Sequence, residues 1–95
     1  MSYELTDVEE RHTRSSSFGI PSRQDRWTVP VGHFVKLVFK GEGLRGERMW
    51  VEVESRNEDG SYSGALRNRP AVISELKHGD SVRFEPRHIA DVLAP

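Results

Sequence analysis

The period-two alternation of apolar residues through the middle of the chain constrains its fold more than any other feature. In "HFVKLVFK", Val35, Leu37 and Phe39 take alternate positions, with Phe34, Lys36, Val38 and Lys40 between them. A strand sends successive side chains to opposite faces, so the pattern predicts one buried face and one mixed face. "ERMWVEVE" repeats it, setting Met49, Val51 and Val53 against Arg48, Trp50, Glu52 and Glu54. "SYSGALR" sets Tyr62, Gly64 and Leu66 against Ser63, Ala65 and Arg67. Between these last two runs lies Asp59-Gly60, a strong hairpin signal because tight hairpin turns need backbone with positive φ. Three strands in a meander follow.

Further on, Pro70 interrupts the sheet, and Leu76, or Val72 with Ile73, is expected to return to the core. His78-Gly79-Asp80 reads as a turn opening a short strand with Val82 and Phe84 on one face. Pro86 begins a single tight helical turn through His88, and Ile89 and Val92 form a last short strand. The predicted fold is mainly β, a small single-domain antiparallel sheet of about five short strands curved into an SH3-like barrel. An open sheet covered by the N-terminal segment is the competing arrangement.

Residues 1–30 differ from the compact β domain expected over 31–95. "RHTRSSSFGIPSRQDRW" is rich in Ser and Arg, with only Phe18, Ile20 and Trp27 as large apolar residues. Such a segment is either an arm, partly disordered, or an irregular cover on the sheet. Within it, Leu5 and Val8 among acids predict one helical turn, and Ser22 followed by Asp25 predicts a capped second one.

Composition narrows the function. A chain of 95 residues makes one modest core and is too short for a kinase or dinucleotide-binding enzyme. The net charge of −1 gives no general attraction to nucleic acid or anionic lipid. Glu4, Asp7, Glu9 and Glu10 make the first ten residues acidic, and the remainder carries +3. No cysteine is present, which excludes disulfides, thiolate metal sites and cysteine nucleophiles. His12, His33, His78 and His88 show no paired ligand spacing, so neither metal nor cofactor is expected. Without a membrane-length apolar run or a secretion signal, a cytoplasmic monomer is the expectation.

Gly41, Gly43 and Gly46 spell G-x-G-x-x-G. A dinucleotide loop of that form opens a helix whose free N–H groups meet pyrophosphate, whereas here "ERMWVEVE" follows with period two. The glycines are therefore expected at a hairpin tip. Trp50 is the more informative residue, because alternation places it on the polar face between Arg48 and Glu52. It is either an anchor for a partner, with Arg48, Phe34 and Arg67 beside it, or it is buried by Phe18, Ile20 and Trp27 folding back. Burial is the expectation favoured by the rarity of large open apolar patches. Arg56, Arg67 and Arg69 read as partners for Glu52, Glu54 and Glu75, and Asn68 as a strand terminator through its side chain. His78 with Asp80 and His88 with Asp91 are the polar pairs an enzyme would use, but neither sits in a catalytic motif.

Between Gly32 and Asp91, "GHFVKLVF", "ERMWVEV", "GALRNRP", "LKHGDSVRF" and "HIAD" together resemble an uncharacterised bacterial family, the domain of unknown function twenty-three fourteen. That resemblance implies a bacterial source, a compact β-rich domain and an accessory or interaction role. The expected function is a non-enzymatic binding module for a protein or peptide. A single-stranded nucleic-acid-binding barrel is the first alternative, and a small histidine–carboxylate enzyme the second.

Overall fold

A computed structural model describes residues 3–15, 18–41 and 46–95. The elements run β1 (Tyr3–Leu5), α1 (Val8–Arg14), α2 (Arg23–Trp27), β2 (Phe34–Gly41), β3 (Gly46–Arg56), β4 (Tyr62–Leu66) and β5 (Ser81–Phe84). A 3-10 turn (Pro86–His88) and β6 (Ile89–Leu93) complete the chain. Among the described residues the six strands form one antiparallel sheet, in the order β1-β2-β3-β4-β5 with β6 also on β2. The sheet curls into a half-barrel.

β2 is the spine. It pairs with β3 along its whole length, from Phe34 opposite Glu52 to Lys40 opposite Gly46. On its other edge, the first half takes β6, Phe34 facing Leu93, and the second half takes β1, Phe39 facing Leu5. The alternation read from the sequence sorts the side chains as expected. Val35, Leu37, Phe39, Met49, Val51 and Val53 are all buried, with Tyr62, Leu66, Val82, Phe84 and Ile89 from the remaining strands. Ile73 and Leu76 return to this core, while Val72 stays exposed.

Of the helical turn expected around Leu5 and Val8, Val8 opens α1, whereas Leu5 lies in β1, a strand that adds to the sheet. Tyr3 and Leu5 pack against the core, with the Tyr3 and Phe39 ring centroids 5.4 Å apart. Three residues are too few to show a period in the sequence. At the other predicted landmarks the local chemistry is as expected. Ser22 caps α2, accepting the N–H of Asp25 at 3.1 Å; Asp7, which the sequence does not single out as a cap, does the same for α1, accepting the N–H of Glu10 at 3.0 Å. Gly60 adopts φ +91° in the β3–β4 turn, and Asp59 Oδ1 accepts both the N–H and the hydroxyl of Ser61. The run from 42 to 45 lies outside the described residues. β3 follows it as an 11-residue strand, so no helix stands where a dinucleotide loop requires one.

Glu47, from the same glycine-rich stretch, has a structural task. Its carboxylate accepts the backbone N–H groups of Ala71, Val72 and Ile73, tying the loop after Pro70 to β3. Partial burial alone would raise its pKa, but the three amide bonds together outweigh that and hold the carboxyl below its ordinary value. A lowered folded pKa stabilises the protein above the ordinary carboxylate pKa, and that contribution is lost as pH falls through the folded value. Glu47→Gln is therefore expected to cost about 1–2 kcal/mol at neutral pH. Thermal melts followed by circular dichroism should show the deficit shrinking on acidification; an equal deficit at every pH would contradict this account.

Candidate functional site

The outward residues of β2, β3 and β6 align in rows across the sheet. Lys36 stands opposite Trp50 on one side and Asp91 on the other. Trp50 is half-buried and its backbone is fixed on both groups: Asn68 Oδ1 accepts its N–H, and its carbonyl accepts Arg67 N–H at 2.9 Å. Asn68 thus ends the strand pairing through its side chain, as its position before Arg69-Pro70 predicts. Lys36 Nζ lies 4.9 Å from the Trp50 ring centroid, a cation–π distance. Arg67 Nε donates to Glu52 Oε1 at 2.9 Å, and Glu52 faces Phe34 across β2 and β3. Phe34 in turn faces Leu93, which is 53% exposed.

All four residues singled out from the sequence, Trp50, Arg48, Phe34 and Arg67, therefore share this face. Arg48 is exposed, with its guanidinium 5.4 Å from the Phe18 ring centroid; Arg11 lies on the same ring at 5.3 Å. Phe18 and Gly19 line a hollow of about 210 Å³ with Lys36, Arg48, Ala90 and Asp91. The sequence names Phe18 as a cover for Trp50, Asp91 as a partner of His88 and Lys36 as a mixed-face residue, but does not bring the three together at one place. Lys36 is legible as the polar residue mid-way along β2, but its place over Trp50 depends on the register of β2 against β3, which a linear pattern does not fix.

The expected cover of Trp50 by Trp27 is not what the fold makes. Trp27 stacks with Arg23, 4.9 Å away, and beside Arg56 and Gly60. The cause is the buried Tyr62 hydroxyl, which donates to the Arg26 carbonyl at 2.8 Å and accepts Val29 N–H at 3.2 Å, holding α2 beside β4. Arg56 also departs from expectation: instead of pairing with a glutamate, it donates to the Trp27 and Gly60 carbonyls and to the Tyr62 hydroxyl.

The histidine pairs do not assemble. His78 is exposed in its turn, and Asp80 accepts the Lys77 N–H. His88 Nδ1 accepts the Glu85 N–H at 3.0 Å, while Asp91 Oδ1 accepts the N–H of Val92. Burial, helped by the charge of Arg87, lowers the His88 pKa and keeps the ring neutral, with its proton on Nε2. Among the described residues no His, Asp and Glu cluster is placed to hold a metal ion, and no helix is long and apolar enough to cross a membrane.

A curled six-stranded half-barrel with an aromatic and basic outer face defines the class of this small β domain. Residues 16–94 match the family DUF2314, described as an uncharacterized protein conserved in bacteria, and the chain belongs to that family. No curated protein and no solved structure matches the chain.

Proposed function

We propose that the protein is a non-enzymatic binding module that engages a protein or peptide partner through the face centred on Trp50, with Arg48, Phe34 and Arg67 around it. The observation that carries this reading is the half-buried indole on the outer side of the sheet, borne on a backbone bonded at both its N–H and its carbonyl and with Lys36 Nζ over the ring. A large aromatic ring fixed in this way loses little entropy on contact, and such residues concentrate binding energy. Arg67 is already oriented by Glu52, and Phe34 opposite Leu93 adds an apolar pair to the same face. The order β6-β2-β3-β4-β5, with a 3-10 turn before β6, supports the finer description as an open SH3-like barrel. Against catalysis stands the tautomer of His88, which leaves the ring a donor on Nε2 and no lone pair there for a general base. A cytoplasmic, monomeric setting completes the proposal.

Peptides selected from a random library on the intact domain should lose at least tenfold in affinity with Trp50→Ala or Arg48→Ala, each variant still melting cooperatively as a folded domain. Failure to select any peptide, or binders indifferent to both substitutions, would refute the face as a peptide site. Salt-sensitive binding to oligothymidylate, lost with Trp50→Ala, would instead establish the single-stranded nucleic-acid alternative.

A further inference from the structure

Away from the Trp50 row, a cleft of about 400 Å³ lies among α1, α2, the β3–β4 turn and the 3-10 turn. Its charges are unevenly matched. Glu9 is held by Arg26, Asp59 by Arg83, and Glu85 by Arg87. Every carboxylate lining the cleft therefore has an arginine. Arg23 is the lining cation with no carboxylate within ion-pair distance among the described residues, and its guanidinium carbon instead lies over the exposed Trp27 ring, 4.9 Å from the ring centroid. Stacking engages the face of a guanidinium and leaves its in-plane N–H groups available. His88 also lines the cleft, and with Nδ1 taken by Glu85 its second nitrogen carries a hydrogen that bonds to nothing among the described residues. Trp27, Phe84 and Pro86 supply apolar wall.

We propose that this cleft binds a small organic monocarboxylate with an apolar or aromatic body. Arg23 takes the carboxylate through its in-plane N–H groups, His88 Nε2–H donates to one oxygen, and Trp27, Phe84 and Pro86 pack against the body. The number of spare charges selects the ligand. One unpaired guanidinium compensates one negative charge, whereas a phosphate dianion would bring a second beside Glu9, Asp59 and Glu85. The volume falls in the range of sites for small molecules rather than single ions. The site is separate from the proposed peptide face, so each stands or falls alone.

The test is titration of the full chain with phenylacetate, followed by nuclear magnetic resonance of the Trp27 and Trp50 indole N–H signals and the His88 ring. Saturable shifts of Trp27 and His88 at millimolar concentration are expected, with Trp50 unmoved. Phenylacetamide, the neutral isostere, should bind at least tenfold more weakly, and Arg23→Gln should weaken phenylacetate by a similar factor. Arg23 is exposed, and the variant's melting temperature verifies that the fold survives. The inference is overturned by the absence of saturable shifts, by equal binding of the amide, by an Arg23→Gln variant of unchanged affinity, or by tighter binding of inorganic phosphate.

Discussion

Gly64→Ala is expected to destabilise the domain by about 3 kcal/mol or more, which for a chain of this size lowers the melting temperature by roughly 12–24 °C. Gly64 sits in β4 opposite Val53, immediately before the pairing of β3 and β4 slips between Val53 and Ser55. A Cβ at this position would collide with the Glu52 carbonyl oxygen and lie 2.8 Å from Val51 Cγ1. The first of these atoms is backbone in the middle of the sheet, so no rotamer change relieves the clash. Either β3 and β4 separate, breaking ladder hydrogen bonds, or the chain bends through its own core. Gly46→Ala is the matched control, since the one tight contact of its Cβ would be a side-chain carbon of Val38 at 3.0 Å, with the Phe39 carbonyl oxygen at an ordinary 3.8 Å. Urea titrations of the two variants should separate clearly. A Gly64→Ala protein within about 1 kcal/mol of the parent would show that β3 and β4 pack less closely than described.

The same residue illustrates what was legible in the sequence. In the sequence Gly64 is simply one of the inward positions of a short alternating strand, and β4 is that strand. Nothing in a linear pattern reports that the neighbouring strand bulges toward that position, because the bulge belongs to the pairing and not to either strand. The long alternating runs gave β2 and β3 with their buried faces, and local chemistry gave the Asp59-Gly60 turn, the Ser22 cap and the Asn68 stop, since each of these bonds spans few residues or a predicted strand pair. Long-range tethers were illegible. Trp27 goes to Arg23 and Arg56 and not to Trp50 because Tyr62, thirty-six positions from Arg26 along the chain, captures that carbonyl. Glu47 reads as one more charge in a polar loop, yet three amides 24 to 26 positions away converge on it. For the candidate face, the sequence placed Trp50, Arg48, Phe34 and Arg67 on one side by parity alone. The pairing of Lys36 with both Trp50 and Asp91 required the register of three strands.

Arg26→Ala is expected to cost about 3 kcal/mol, and the double variant with Glu9→Ala is expected to cost distinctly less than the two single changes together. Arg26 is the one buried arginine among the described residues, 6% exposed, and it joins three parts of the fold. Its guanidinium pairs with Glu9 of α1, its Nε donates to the Pro21 carbonyl at 3.0 Å, and Nη1 approaches the Pro86 carbonyl at 3.5 Å. The two partners are not equivalent. The Glu9 side chain is 40% exposed and can regain water when Arg26 is removed, whereas removal of Glu9 leaves a cation that is 7% exposed with only carbonyls around it. Glu9→Ala should therefore be at least as damaging as Arg26→Ala although it deletes the more exposed group. Because the arginine of the pair is out of solvent, the loss should persist at high salt more than that of the exposed Arg14–Glu10 pair. Denaturant titrations of the four proteins in the cycle give the coupling directly. Additivity within about 0.5 kcal/mol would mean that the ion pair does not hold α1 and α2 to the 3-10 turn, and that Tyr62 and the capped helix ends suffice.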